Sequence, residues 1–316
     1  MKTTKKNFLL KNEKILFQIK EGICSRSCHY CYESSKLNTE MPFEVLEHGF
    51  KILKSLNIKE AELIGSEPTE YSRWNELINL AEALNMDLTV YTSGLHLERL
   101  NNKQIKKLIL HVMFKATQKF MGAIKELLDN DQFIDLRVNF DPKDLKEKDI
   151  VWSFLVQLPR QYLKQVSLKY SFTAKTENPD VEFTDIDALK EIKPEFLKFC
   201  EEIHNKFPEV EMYSERPIFK CCFTKEEYEK YFYAGLDGRC NMEYTVYKNG
   251  QIGLCPPVET LVPKRTMETG NQFVAAIQEL RKNIALLVKK PSFEDCRTCS
   301  FLQDFSCQGG CFSYKL

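Results

Sequence analysis

Three cysteines, Cys24, Cys28 and Cys31, stand in the run Ile23-Cys24-Ser25-Arg26-Ser27-Cys28-His29-Tyr30-Cys31, spaced C-x3-C-x2-C directly after an apolar, strand-like stretch. That spacing puts three thiolates on one tight loop. An iron–sulfur cube normally takes four cysteine ligands, so three leave one iron open to a substrate or cofactor. An electron-transfer ferredoxin would supply a fourth cysteine nearby, but the next one here is Cys200. A three-cysteine zinc knuckle is the plainer alternative. Eight of the twelve cysteines lie beyond residue 210: Cys221, Cys222, Cys240, Cys255, Cys296, Cys299, Cys307 and Cys311. Cys240 and Cys255 bracket Gly250 as C-x9-G-x4-C, and the last four read C-x2-C-x7-C-x3-C. A zinc ribbon on those last four is the alternative there, and it would leave Cys240 and Cys255 without a task.

The elements that must position these groups follow from periodicity, 2 for strands and 3.6 for helices. Short apolar strands are expected at residues 15–19, 61–64, 88–92, 109–114, 133–140 and 166–172. Helical stripes fall between them: Phe43, Leu46, Phe50 and Leu53; Trp74, Leu77, Ile78, Ala81 and Leu84; Phe120, Ile124, Leu127 and Leu128. A short helix is expected over 104–108, a further one over 151–158, and a long one carries Leu189, Ile192, Phe196, Cys200, Ile203 and Phe207. Alternating strands and helices predict a parallel sheet with helices outside it, either doubly wound or an incomplete barrel. Ligands of such sheets sit at the C-terminal ends of the strands. Beyond residue 210, Asn249-Gly250 between the apolar runs 244–247 and 252–255 predicts a hairpin, and Phe273, Ile277, Leu280, Ile284 and Leu287 predict a helix.

The cysteine loop, with Tyr30 before its third cysteine, resembles the signature of the radical S-adenosylmethionine (SAM) enzymes. The segment Gly65-Ser66-Glu67-Pro68, at the end of the second strand, is similar to that family's GGEP motif, with Ser66 in place of a glycine. Thr92-Ser93-Gly94 after the third strand resembles its T-N-G. The tail resembles the SPASM domain, which holds auxiliary iron–sulfur clusters; the gap between Cys299 and Cys307 is longer than in the usual pattern, and no further cysteine follows Cys311.

These resemblances span residues 14 to 316 and imply a partial (β/α)6 TIM-type barrel over 14–210, followed by a small Cys-rich SPASM-like domain with a β-hairpin over 211–316. They imply that Cys24, Cys28 and Cys31 hold a [4Fe-4S] cluster, that SAM chelates its open iron, and that SAM is cleaved to a 5'-deoxyadenosyl radical. Tyr30, Gly65, Ser66, Glu67, Pro68, Thr92 and Ser93 are then the SAM-binding set, with Glu67 on the SAM amino group. Lys115 and Arg137 are candidates for the SAM carboxylate or the substrate, or ordinary strand-end charges. One or two auxiliary clusters are implied. Cys240, Cys255, Cys311 and either Cys221 or Cys222 form one ligand set; Cys296, Cys299 and Cys307 form another, completed by Asp304, water or substrate. Whichever of Cys221 and Cys222 binds no iron is either a spare thiol or a hydrogen-atom donor.

The implied reaction is hydrogen abstraction, with a ribosomally made peptide crosslinked, epimerised or oxidised. The alternative is a small-molecule dehydrogenase or epimerase, for instance on an amino sugar, which the 23 residues before Cys24 keep open because they leave no room for a peptide-recognition domain. A non-catalytic iron–sulfur or zinc protein is the third reading. Flavodoxin or ferredoxin is the expected reductant. Lys+Arg and Asp+Glu are both 45, which argues against nucleic acid or an anionic membrane as partner. Lys2, Lys5 and Lys6 lead into no apolar segment, and no run approaches the about 18 apolar residues of a membrane span. The expected compartment is the cytoplasm, where twelve cysteines argue for metal or redox chemistry rather than disulfides.

Overall fold

The computed structural model describes residues 14–22, 24, 28, 31, 38–140, 146–173, 175, 183–231, 240 and 243–315. In chain order the elements are β1 (Lys14–Glu21), β2 (Thr39–Glu40), α1 (Phe43–Ser55), β3 (Glu60–Gly65), α2 (Trp74–Leu84), β4 (Asp87–Thr92), β5 (Ile105–His111), α3 (Gln118–Asp129), β6 (Phe133–Phe140), α4 (Lys146–Gln157), β7 (Val166–Phe172), α5 (Ile186–Lys206), β8 (Glu211–Ser214), α6 (Lys225–Tyr231), β9 (Glu243–Val246), β10 (Gln251–Leu254), β11 (Arg265–Thr266), α7 (Gly270–Val288) and α8 (Ser300–Gln303).

The chain forms two compact units. The described residues of the first lie within 14–24, 38–108 and 243–285, and those of the second are 28, 31 and those within 109–240 and 286–315.

In the first unit β1 is central. It pairs in parallel with β3, as Phe17 with Leu63, and in parallel with β9, as Leu16 with Thr245. β3 pairs in parallel with β4, while β10 and β11 add antiparallel strands beyond β9. A strand flanked on both sides and covered on its faces should be apolar throughout, and Ile15, Leu16, Phe17 and Ile19 are all buried. Helix α1 packs on it closely: a Cβ on Gly49 would lie 2.5 Å from Phe17 Cε1, and Phe50 meets Phe17 edge-on at 5.0 Å. Helix α2 buries Leu77, Ile78 and Ala81 and stops at Asn85, which takes the left-handed conformation at φ 51°.

In the second unit β6 and β7 pair in parallel from Ile134 with Val166 to Phe140 with Phe172, and β8 pairs in parallel with β7. The strands alternate. Phe140, Tyr170 and Phe172 pack on Phe196 of α5, with ring centroids 5.0, 5.0 and 5.3 Å away. Asp135, Arg137 and Asn139 occupy the alternate positions, as do Ser167, Lys169 and Ser171.

Among the described residues β8 pairs only with β7 and β11 only with β10, so the sheet is open. The expected α/β architecture, largely parallel and not closed, is present. Residues 104–108, expected as a helix, instead enter β5. Asn102 Oδ1 accepts from Gln104 N at 2.8 Å, an Asx turn that ends the loop, and Leu88 N then donates to Gln104 O at 2.7 Å. The expected hairpin is present one residue earlier than predicted on each arm, with Gly250 at φ +76°, and it extends the β1 sheet.

Candidate active site

The loop after β3 lies directly on the end of β1. Ser66 N donates to Lys20 O at 3.1 Å, and a Cβ on Gly65, at φ +145°, would fall on that same carbonyl oxygen. Only glycine fits there. Glu67 follows, fully buried, and caps a 3-10 turn over Pro68–Glu70 that starts on proline.

Its carboxylate is a junction. One oxygen accepts from Thr69 N at 3.3 Å, Thr69 Oγ1 at 2.6 Å and Thr92 Oγ1 at 2.8 Å. The other accepts from Ser93 N at 2.8 Å and Ser93 Oγ at 2.6 Å. Such charge-assisted bonds are strong, and here they tie the ends of β3 and β4 together. Arg99 holds Thr69 O at 2.7 Å, and buried Lys20 pairs with Glu70 at 2.8 Å. Amid this saturation, Ser66 Oγ is buried with no hydrogen-bond partner among the described residues. An orphan hydroxyl is costly unless a ligand completes it. It can accept from an ammonium group, so the loop fits the amino end of SAM.

The five residues Gly65, Ser66, Glu67, Thr92 and Ser93 are thus brought together, with Pro68 buried beside them. Thr69 and Lys20 belong to the same construction and were not singled out from sequence; a hydroxyl two residues after Glu67 was the available signal. Both oxygens of Glu67 are engaged by protein donors.

Cys24, Cys28 and Cys31 are half-buried and in no disulfide. Cys31 N donates to Cys28 O at 3.1 Å, and Cys28 Sγ lies 2.8 Å from Met113 Sδ. Tyr30 and His29 lie outside the described residues. Among the described residues no three His, Cys, Asp or Glu side chains converge as a metal-ligand group. The fit to a cluster therefore rests on donor chemistry, three thiol groups on one loop.

The second unit holds a buried ionic group on the alternate positions of β6 and β7. Arg137 Nε donates to Glu215 Oε2 at 2.5 Å and its Nη1 lies 3.0 Å from His111 Nε2. Lys169 Nζ stands 4.0 Å from both Asp135 and Glu215, and Tyr213 and Ser167 donate to Asp135. Burial, reinforced by Arg137, pushes His111 down to about 3, so it is neutral. Burial alone would raise Glu215, but Arg137, Lys169 and Arg216 outweigh it and hold the carboxyl at about 2. Arg137 is thus engaged by protein groups, and Lys115 is exposed after β5. This group was not read from sequence; the period-2 recurrence of polar residues in two otherwise apolar strands was its signal.

In the tail, the vicinal pair differs. Cys221 is exposed, and a hydrogen bond from Cys222 draws its thiol down to about 7; Cys222 is buried, raised by that same bond and by burial, with Sγ 3.8 Å from Ile186 O. Burial raises the Cys296 thiol, with smaller contributions from Cys221 and Cys307. Cys307 Sγ accepts from Gly309 N at 3.3 Å. Cys240 N donates to Gln308 Oε1 at 2.9 Å, beside buried Cys311. Cys299 caps α8, and Cys255 ends β10 half-buried. Asp304 caps Ser306 N at 2.8 Å. Cys200 is buried in α5, its thiol raised by burial, as a structural cysteine should be.

No protein-family model matches the chain, and no curated protein matches it in sequence. Solved structures are similar in fold. SuiB of Streptococcus suis bound to S-adenosylmethionine is 13% identical, with a TM-score of 0.64 over 95% of this chain and 73% of that one. SuiB bound to the precursor peptide SuiA is 14% identical, with a TM-score of 0.64 over 98% and 74%. The anSMEcpe structure with bound AdoMet and Kp18Cys peptide is 14% identical, with a TM-score of 0.65 over 94% and 88%. At these identities the likeness is one of fold. Among the described residues no helix is long and apolar enough to cross a membrane.

Proposed function

We propose that this protein is a radical SAM enzyme of the SPASM type. The observation that carries the reading is the Glu67 junction, which fixes the ends of β3 and β4 as one rigid platform beside an orphan Ser66 hydroxyl. A ligand group that donates to the Ser66 hydroxyl would satisfy it. When bound, a [4Fe-4S] cluster and SAM together supply a 5'-deoxyadenosyl radical that takes a hydrogen atom from substrate.

Each part of the chain has a task in that reading. Cys24, Cys28 and Cys31 hold the cluster. Ser66 accepts from the SAM ammonium, while Glu67 orients the loops through Thr69, Thr92 and Ser93. Gly65 lets the loop approach β1. The tail cysteines hold auxiliary clusters that carry electrons away in an oxidative reaction. A peptide is the favoured substrate, because SuiB and anSMEcpe have been solved with peptides bound and cover nearly all of this chain. A small molecule such as an amino sugar is the second reading. A flavodoxin or ferredoxin in the cytoplasm would supply the electron.

The test is anaerobic reconstitution with iron and sulfide, then dithionite and SAM. Release of 5'-deoxyadenosine supports the reading. Iron-loaded protein that leaves SAM intact would show an electron carrier, and stoichiometric zinc a zinc protein.

A further inference from the structure

We infer that Gln18 and Thr245, on the face of the first unit's sheet turned away from α1, form a subsite for a peptide amide of the substrate. This rests on the reading of the protein as an enzyme with a peptide substrate, and it names the chemical group that the chain recognises.

Strand β1 sends Phe17 onto Phe50 of α1, so its neighbour Gln18 points to the opposite face of the sheet. Thr245 of β9 lies directly opposite Leu16, and Ile64 of β3 directly opposite Gln18. Residues paired in register share a face, so Thr245, Leu16, Gln18 and Ile64 form one patch within the first unit. Gln18 and Thr245 stand two residues apart along adjacent strands, about 8 Å between their Cα atoms. That gap is within reach of a glutamine side chain and one amide group.

Gln18 is 5% exposed and Thr245 fully buried. Gln18 Oε1 and Thr245 Oγ1 nevertheless have no hydrogen-bond partner among the described residues. Two neighbouring oxygens left unsatisfied in this way carry a cost that a bound ligand recovers. The Gln18 oxygen accepts, whereas the Thr245 hydroxyl can donate as well as accept. Together they complement one amide, whose N–H meets Gln18 and whose carbonyl meets Thr245.

The rest of the lining favours a neutral group. Leu16 and Ile64, both buried, stand beside the two oxygens as apolar walls, and a few placed polar atoms among apolar walls are typical of ligand sites. The cations on either side along β1 are already paired, Lys14 with Glu243 at 3.5 Å and Lys20 with Glu70 at 2.8 Å. A charge brought between Leu16 and Ile64 would be costly to bury. An ordered water is the simpler occupant, but a buried water makes about three hydrogen bonds and this patch offers two polar side chains.

The experiment uses the full chain, reconstituted anaerobically and oxidised, with no SAM added. Saturation-transfer nuclear magnetic resonance measures binding of N-methylacetamide, a single peptide unit, and of methyl acetate, which has the same shape without the N–H. The amide should bind saturably and more tightly than the ester. Gln18→Leu and Thr245→Val should each raise its dissociation constant about fivefold or more, the loss of one hydrogen bond. Thr245→Val should also keep or raise the urea midpoint, because a methyl group replaces an unsatisfied hydroxyl. Equal affinity for amide and ester, an unchanged dissociation constant in both variants, or tighter binding of N-acetylglucosamine than of acetyl-alanyl-alanine methylamide would overturn the assignment. So would a lower urea midpoint in Thr245→Val, which would mean that the hydroxyl holds a structural water. Release of 5'-deoxyadenosine is assayed separately with SAM and dithionite. Amide binding without SAM cleavage would fail the catalytic reading alone, and SAM cleavage by a protein indifferent to the amide would fail this subsite alone.

Discussion

Glu67→Gln isolates the Glu67 junction, because it changes one oxygen to an amide with almost no change in volume. Five donors converge on the carboxylate: Thr69 N, Thr69 Oγ1, Thr92 Oγ1, Ser93 N and Ser93 Oγ. Hydroxyls can rotate and accept from an amide, but backbone N–H groups cannot. Either placement of the amide nitrogen therefore faces one buried N–H, that of Ser93 or that of Thr69. An unpaired buried donor costs about 1–3 kcal/mol, and the bonds that remain lose their charge assistance, so the sum is about 2–4 kcal/mol. That is a large share of the stability of an ordinary domain. Urea unfolding of the full chain should show a lower midpoint, and amide exchange at Ser93 should quicken more than at sites in α5. SAM affinity should fall by about tenfold or more, since 1.4 kcal/mol of lost preorganisation is a factor of ten. An unchanged midpoint together with unchanged exchange at Ser93 would refute the junction.

Ser66→Ala should do the reverse, leaving the unfolding midpoint unchanged or slightly raised while weakening SAM binding in anaerobic titration; equal affinity would mean that the orphan hydroxyl is not a ligand contact. Gly65→Ala must place a Cβ on the Lys20 carbonyl at φ +145°, so little soluble protein is expected, whereas Gly122→Ala, on an open face of α3, should raise stability by about 0.5–1 kcal/mol in the same urea assay. His111 folds with its pKa depressed to about 3, so the unfolded chain takes up a proton that the native one refuses, and stability held above pH 6.5 is lost progressively as pH falls below it. Glu215, held at about 2, adds a loss as pH drops from the ordinary carboxylate range towards that value. Urea midpoints should therefore fall between pH 7 and pH 4, with a shallower slope in His111→Gln; identical slopes would contradict the buried neutral histidine.

Local patterns were legible and long-range pairings were not. Strands β6 and β7 match the expected bounds because apolar and polar residues alternate along them, and the hairpin was marked by Asn249-Gly250. The position of β9 beside β1 was not visible, since no local feature of residues 243–246 specifies a partner more than two hundred residues away. The 104–108 segment failed because Ile105 and Leu108 suit either period, and the Asx turn at Asn102 decided between them. At the site, Gly65, Ser66 and Glu67 were recognisable as a motif. What Glu67 bonds to was not, because its partners Thr92 and Ser93 lie on the next strand's loop. Arg137 was noticed as a charge, but its partner Glu215 comes 78 residues later.

The central claim is that Cys24, Cys28 and Cys31 carry a cluster that SAM meets directly. The most direct measurement is the electron paramagnetic resonance spectrum of dithionite-reduced protein before and after SAM is added. A cluster with an open iron should change its signal on SAM binding, and the variant with Cys24→Ala, Cys28→Ala and Cys31→Ala should lose that change while keeping the tail-cluster signal. A spectrum indifferent to SAM, or a SAM-dependent change that survives in the triple variant, would contradict the account.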